Sequence, residues 1–222
     1  AMLSKLHEVV RYEADMLSIF TPSQFEYSFD KEGVTYAGRA LGGRIDRIDT
    51  AEDAGFGERF VVIDYKNRAS VRELGCPDPT MMLDEGEELP QGWLPGRDAD
   101  RAPKVQTLIY AQALEHLGAG SAQGAVYFAT RGPEVAGAVA DSLTASEPPA
   151  FPHDAVSGYP GVKPPRLRTA KHDGFLKFKT LLDTVEEGVA RELDALEAGA
   201  IAPRPAADSC SFCPLTMCEK RR

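Results

Sequence analysis

The segment that most constrains the fold is an apolar run that ends in two opposite charges. Residues 60–63 read Phe-Val-Val-Ile, and Asp64, Tyr65 and Lys66 follow directly. A short run of β-branched and aromatic residues predicts a buried strand over 58–66. Because alternate residues of a strand share a face, Asp64 and Lys66 project together. The alternative is a surface ion pair at a strand end, which would contribute little to stability.

A second strand is predicted from Val34 to Asp49, with a bulge at Gly42-Gly43. It favours a functional site at Asp64 and Lys66 over a surface ion pair. Its later part reads Gly-Arg-Ile-Asp-Arg-Ile-Asp, so Asp46 directly follows the apolar Ile45. If the two strands pair, Asp46 approaches Asp64, and each carboxylate raises the pKa of the other. A hard divalent cation removes that repulsion, and Mg²⁺ and Mn²⁺ prefer such oxygen ligands. A neighbouring lysine could hold hydroxide or stabilise developing negative charge at phosphorus.

Hydrophobic periodicity and turn residues predict the other elements. These are a helix over 3–19 with an apolar face of Leu3, Leu6, Val10 and Leu17, a strand over 25–29, a helix over 104–117, a strand over 124–131 and a helix over 174–198. The first three strands predict an antiparallel meander, and the strand after a helix predicts a parallel partner. The Pro- and Gly-rich stretches 67–103 and 133–165 are predicted to be loops or insertions. Together they indicate an α/β domain with a mixed sheet.

Composition narrows the class of protein. The chain has 222 residues, 43% of them hydrophobic, which suffices for a buried core. It contains neither an 18-residue apolar stretch nor a signal-peptide pattern, so we expect a cytoplasmic protein without a membrane span. The net charge of −9 disfavours nucleic-acid binding through charge alone. However, residues 163–179 hold six Lys or Arg against one acid, which fits a solvated loop and a phosphate-contacting patch equally well.

Three of the four cysteines lie close together near the end of the chain, at Cys210, Cys213 and Cys218. Such bunching is a poor disulfide framework in a chain without a signal peptide, and it suits an iron–sulfur cluster or zinc better. A fortuitous cysteine-rich tail is the remaining alternative.

The motifs together resemble the PD-(D/E)XK nucleases, and within them the RecB-like branch that includes the AddB-type helicase-nuclease subunit. That branch carries a Gly-x-(Ile/Val)-Asp strand, an Asp-Tyr-Lys strand and then a helix with Gln-x-x-x-Tyr. Here these are residues 43–46, residues 64–66, and Gln106 with Tyr110, in the same order. Each motif is weak alone, but the ordered set is specific.

The resemblance implies a restriction-endonuclease-like mixed sheet flanked by helices, and it implies roles for particular residues. The implied ligands of Mg²⁺ or Mn²⁺ are Asp46, Asp64 and the backbone carbonyl of Tyr65. The implied catalytic set is Asp46, Asp64, Lys66, Gln106 and Tyr110, although Gln106 and Tyr110, one helical turn apart, could instead only close the core. Glu26 matches the strand acid of the family and faces either the site or solvent. His7 is interpreted as an ordinary helix residue.

The tail resembles the segment that supplies three cysteines to a [4Fe–4S] cluster in AddB-type and related nucleases. The family spacing is Cys-x2-Cys-x5-Cys, whereas four residues separate Cys213 from Cys218 here. We expect the fourth ligand outside this chain, because Cys76 is not at the matching position. The predicted organisation is a nuclease domain over 3–200 with the cysteine-rich tail, 201–222, packed on it.

The function that this resemblance implies is a metal-dependent DNA exonuclease in helicase-nuclease processing of double-strand breaks. Its expected partners are single-stranded DNA and a helicase or ATPase subunit, because the chain has no Gly-x4-Gly-Lys-(Ser/Thr) loop of its own. Two alternatives stay open. One is a catalytically inactive nuclease-like module that binds DNA or serves as structure. The other is a zinc-stabilised interaction domain.

Overall fold

The computed structural model describes residues 2–31, 33–53, 57–71, 74, 105–140, 143, 166–168, 178–201 and 214. Several predictions therefore fall on residues outside these ranges. They concern most of the 67–103 insertion with Cys76, most of the basic stretch 163–179, and the cysteines Cys210, Cys213 and Cys218. These stay predictions.

Within the described ranges the chain forms three α-helices, one 3₁₀ helix (Phe29–Lys31) and eight strands. In chain order the α-helices and strands are α1 (Met2–Met16), β1 (Thr21–Ser28), β2 (Thr35–Tyr36), β3 (Arg39–Ala40), β4 (Arg44–Asp53), β5 (Gly57–Lys66), α2 (Gln106–His116), β6 (Ser121–Ala129), β7 (Val135–Val139), β8 (Arg166–Arg168) and α3 (Phe178–Glu197). None of these helices has the length and apolar character needed to cross a membrane.

One mixed sheet organises the domain, with the strand order β1-β4-β5-β6-β7-β8. Strand β4 pairs antiparallel with β1 on one side and with β5 on the other, which confirms the predicted meander. The strands β5 and β6 then pair in parallel, as the intervening helix α2 predicts. The outer pairs are antiparallel for β6 and β7 and parallel for β7 and β8. This arrangement confirms the expected restriction-endonuclease-like fold class of a mixed sheet flanked by helices.

Two hydrophobic layers cover the sheet, one on each face. On one face, Phe60 and Val62 of β5 pack with Leu108 of α2 and Leu182 of α3. On the other, Val61 and Ile63 pack with Tyr12 and Met16 of α1 and with Phe128 of β6. The four residues Phe60 to Ile63 are fully buried, so the run that the sequence marks as a core strand lies at the centre of the sheet.

The predicted buried face of α1 is wrong. Leu3, Leu6 and Val10 are 71%, 52% and 56% exposed, and of the predicted set only Leu17 is buried. The face that contacts the sheet consists instead of Val9, Tyr12, Glu13 and Met16. A polar Glu13 on the buried face hides this stripe from a count of apolar residues.

The single predicted strand from Val34 to Asp49 is also wrong, because a hairpin precedes β4. Tyr36 of β2 pairs with Arg39 of β3, and only Ala37 and Gly38 connect them. Both connecting residues have positive φ, +50° and +75°. Two positive φ values in a two-residue loop match the right-handed twist of a hairpin. The chain therefore reverses direction at Ala37-Gly38 before β4 begins.

The prediction that 133–165 is a loop is wrong at β7. All five of its residues, Val-Ala-Gly-Ala-Val, are buried. Gly137 has φ +143°, and a Cβ there would lie 2.3 Å from the carbonyl oxygen of Ala125. The small residues thus let β7 approach β6 closely, whereas by composition they suggest a loop.

Candidate active site

Asp46 and Asp64 meet where β4 and β5 stop pairing. The ladder continues to Arg47 opposite Ile63, so the next position on each strand is Asp46 and Asp64. Here a side chain replaces the backbone partner, because the Tyr65 N–H donates a hydrogen bond of 2.7 Å to Asp46 Oδ2. The predicted juxtaposition of the two carboxylates is therefore present at the end of β5.

The Asp64 carboxylate is buried, with its side chain only 9% exposed. Its Oδ2 lies 2.7 Å from Lys66 Nζ, yet it accepts no hydrogen bond of good geometry from the residues that the structure describes. Burial raises the pKa of Asp64 above its usual value; Lys66 acts to lower it, and the charge of Asp46 raises it further. A buried oxygen in this environment is suited to binding a cation.

Lys66 lies between three groups. Besides its ion pair with Asp64, Nζ donates to Gln106 Oε1 at 3.4 Å, and it lies 5.4 Å from the centre of the Tyr127 ring. Gln106 is the first residue of α2 and so approaches the site from the covering helix. The register pairs Asp64 with Tyr127, which places that ring on the neighbouring strand. The Tyr127 hydroxyl accepts a 3.4 Å hydrogen bond from the Thr107 N–H and thereby joins α2 to the sheet.

A cleft of about 500 Å³ opens beside the lysine. Its polar end is formed by Lys66 and Gln106. The rest of its wall is Leu41, Gly42, Leu74, Val105, Ile109, Tyr110 and Tyr127. The site thus combines a charged end with an apolar wall, and its volume lies within the range of small-molecule sites.

Tyr110 is held by a close approach of the backbone. Its ring packs on Phe29 at 5.4 Å between centroids. Gly43 has φ +131°, and a Cβ there would lie 2.6 Å from the Tyr110 hydroxyl. The glycine of the Gly-x-Ile-Asp motif therefore makes room for the tyrosine of the Gln-x-x-x-Tyr motif.

A buried polar network supports the site from the opposite face of the sheet. Arg47 binds both oxygens of the fully buried Asp49 at 2.5 Å, and it contacts Glu13 Oε2 at 3.0 Å. The Tyr65 hydroxyl donates to Glu13 at 2.9 Å and accepts from Arg47 at 2.9 Å. Since the same Tyr65 donates its N–H to Asp46, this network fixes the backbone between Asp64 and Lys66.

Glu26 lies in the same row as the two aspartates, but its side chain points elsewhere. Phe25 pairs with Arg47 and Tyr27 with Ile45, so Glu26 is opposite Asp46. Its φ is +52°, and its carboxylate forms a 3.0 Å ion pair with Arg44, in which both side chains are more than 60% exposed. His7 lies on the exposed part of α1, as its interpretation as a helix residue expects.

Sequence reasoning missed Tyr127, Glu13 and Arg47. A signal for Tyr127 was available, since it is the one tyrosine in an apolar strand predicted to run parallel to β5. Glu13 and Arg47 show no comparable signal, because their pairing joins α1 to β4 across 34 positions.

The acidic groups alone do not complete a metal centre. Over the described ranges, no group of three or more His, Cys, Asp or Glu side chains is close enough to hold a metal ion. A cation at Asp46 and Asp64 would therefore need further ligands, such as a backbone carbonyl and water, which is common for Mg²⁺. The buried Oδ2 of Asp64 and the adjoining carboxylate fit such an ion.

Comparison with known families agrees with this geometry. The family model of the PD-(D/E)XK nuclease superfamily matches residues 1–218. The match covers nearly the whole chain, so the protein belongs to the PD-(D/E)XK nuclease superfamily. No curated protein sequence matches the chain at a significant level.

Proposed function

We propose that this domain is a deoxyribonuclease that requires Mg²⁺ or Mn²⁺ and hydrolyses phosphodiester bonds at the end of β5. The observation that carries the proposal is the buried Asp64 carboxylate, opposite Asp46 and 2.7 Å from Lys66 Nζ. Membership of a nuclease superfamily supports the same reaction class.

In this proposal the cation is held by Asp46, Asp64 and the backbone carbonyl of Tyr65. Asp46 already accepts the Tyr65 N–H through Oδ2, which orients its carboxylate. Neutralising two adjacent carboxylates offsets the repulsion that contributes to the raised pKa of Asp64. When bound, the ion supplies Lewis-acid activation of the phosphodiester and of the attacking water.

Lys66 has two roles in the proposal. Its ammonium group positions the attacking water, and it offsets the negative charge that develops on the phosphate oxygens. Gln106 restrains this ammonium through a hydrogen bond of 3.4 Å, and the Tyr127 ring stabilises it through a cation–π interaction. Both restraints leave fewer positions for Nζ, which favours a preorganised site.

Gln106 and Tyr110 lie one turn apart on α2, so both face the cleft. We assign to them the orientation of the scissile strand. The apolar wall beside them suits the sugar and base of a nucleotide whose phosphate lies at Lys66.

The biological setting follows only from the resemblance. The ordered motifs support a RecB/AddB-like exonuclease domain that receives a single DNA strand from a helicase or ATPase subunit during double-strand break repair. The same resemblance supports a [4Fe–4S] cluster at Cys210, Cys213 and Cys218, with the fourth ligand supplied from outside this chain. Zinc at these cysteines, without iron and sulfide, would instead favour an interaction domain.

The competing function is a catalytically inactive module that keeps the nuclease fold to bind DNA. It is motivated by the shortage of side-chain metal ligands within the described ranges. The buried carboxylate of Asp64, paired with Lys66, argues against it, because a buried charge is costly to retain without a role.

Cleavage of labelled single- and double-stranded DNA with Mg²⁺ or Mn²⁺ tests the proposal. Asp64→Ala and Lys66→Ala are compared with Lys5→Ala, which alters an exposed lysine on α1. We expect the first two variants to lose about 10²-fold or more in rate and the third to cleave like the parent. Folded parent protein that cleaves neither substrate with either metal would favour the inactive module.

A further inference from the structure

An exposed arginine lies just beyond the candidate active site, on the strand next to β5. The pairing of β5 with β6 ends at Lys66 opposite Ala129, but the backbones stay together for two more residues. The Thr130 N–H donates to the Lys66 carbonyl and the Arg131 N–H donates to the Arg68 carbonyl, each at 3.1 Å. The segment that carries Arg131 is thus fixed to the end of the catalytic strand.

This pairing sets how far Arg131 is from the site. The Thr130 N–H is bonded to the Lys66 carbonyl, and consecutive Cα atoms are about 3.8 Å apart, so the Cα atoms of Lys66 and Arg131 lie within roughly 10 Å of each other. A long arginine side chain can therefore reach a phosphate one nucleotide away from the phosphate at Lys66.

The Arg131 guanidinium is oriented but not neutralised by the described residues. Its Nε donates to Asn67 Oδ1 at 2.8 Å, and this is its one hydrogen bond within the described ranges. The nearby acid Glu134 accepts bonds from Ser70 and from the Val71 N–H at 2.8 and 3.0 Å. A neutral amide that holds one edge of a guanidinium leaves its terminal N–H groups for an anion.

We propose that Arg131, oriented by Asn67, forms a second phosphate-binding site for the substrate strand, next to the scissile phosphate. The inference rests on the proposed function, because the substrate must be a polynucleotide with more than one phosphate. It gives an acidic protein of net charge −9 a local cation at the end of β5. Such a contact fixes the position of the strand without reading its sequence.

Oligonucleotide binding tests the site separately from cleavage. A labelled single strand is titrated with protein in EDTA, and fluorescence anisotropy gives Kd at several salt concentrations. Arg131→Gln is compared with Arg11→Gln, which removes an exposed arginine on the far face of the sheet. Asn67→Ala tests the orienting amide.

We expect Arg131→Gln to weaken binding roughly three- to tenfold at low salt, as the loss of one hydrogen-bonded contact predicts. The slope of log K against log salt should become shallower by about 0.7, the value for one lost contact to a single strand. Asn67→Ala should weaken binding less, with the slope kept. Equal Kd values and slopes for Arg131→Gln and the parent, or an equal loss in Arg11→Gln, would overturn the proposal.

Hydrolysis separates this inference from the proposed function. The ratio of kcat/KM on an oligonucleotide to kcat/KM on bis(p-nitrophenyl) phosphate, which has one phosphate, should fall in Arg131→Gln. A protein that binds the strand with the predicted slopes but hydrolyses neither substrate would refute the nuclease and retain the phosphate site. A protein that hydrolyses both, with an unchanged ratio and unchanged affinity in Arg131→Gln, would retain the nuclease and refute the phosphate site.

Discussion

Replacing Arg47 by methionine tests whether the buried network behind the site holds the domain together. Arg47 is 13% exposed and binds both oxygens of Asp49, which is fully buried. It also contacts Glu13 and the Tyr65 hydroxyl. Methionine keeps much of the volume but leaves the Asp49 charge without this partner inside the fold.

The expected loss is large because the pair is buried. Removing one partner of a buried ion pair costs about 3–5 kcal/mol. Two hydrogen bonds to a charged group, at about 1.5–3 kcal/mol each, give a similar total. For a domain of this size, that corresponds to a fall in Tm of roughly 6–20 °C. Because Arg47 also holds Tyr65, the variant should lose nuclease activity even where it remains folded.

Urea unfolding followed by far-UV circular dichroism measures this loss. Arg11→Met, on the exposed part of α1, should change the free energy of unfolding by less than about 0.5 kcal/mol. The double variant Arg47→Met/Asp49→Asn should be more stable than Arg47→Met alone, because the unpaired charge is gone. A loss of unfolding free energy below about 1 kcal/mol in Arg47→Met would contradict a stabilising role of this network. So would a double variant that is no more stable than Arg47→Met.

Three further substitutions test other parts of the structure. Burial raises the pKa of Asp64 in the folded protein above its usual value of 3.8. The folded parent therefore binds the proton more tightly than the unfolded chain does. In EDTA, the unfolding free energy of the parent minus that of Asp64→Asn should fall as the pH rises from about 3.8 through the raised pKa. Gly43→Ala should displace Tyr110 and slow cleavage, whereas Gly33→Ala, at φ +62° and with open space around the added Cβ, should not slow it. Gly137→Ala should destabilise the fold by at least about 1 kcal/mol, because its Cβ would overlap the Ala125 backbone.

Each of these has a result that would contradict it. For Asp64, it is a stability difference between parent and Asn variant that stays constant or rises over that pH range. For Gly43, it is equal cleavage by the two alanine variants. For Gly137, it is an unchanged midpoint of urea unfolding.

The centre of the sheet could be predicted because its sequence signals are local. The run Phe60 to Ile63 has the composition of a buried strand, and Asp64 and Lys66 follow at strand spacing. The pairing of Asp46 with Asp64 needed only a short turn between two strands, so the register was constrained. Gln106 reaches Lys66 because α2 begins there, as the helical periodicity of its motif suggested.

Features that depend on distant contacts were not predictable in this way. Glu13 lies on the buried face of α1, where Arg47 and Tyr65, both far along the chain, bind its carboxylate. Strand β7 consists mostly of small residues, and these allow its backbone to lie close to β6. The Ala37-Gly38 turn requires a positive φ at an alanine, which propensity does not suggest. In each case tertiary packing outweighs local preference.

The proposed catalysis requires that Asp46 and Asp64 share one divalent cation. Isothermal titration of Mn²⁺ into the parent, Asp64→Asn and the matched surface variant Asp15→Asn tests this directly. We expect one site in the parent, an unchanged site in Asp15→Asn, and binding about tenfold or more weaker in Asp64→Asn. Equal Mn²⁺ affinity in all three proteins would show that the paired carboxylates do not form the metal site.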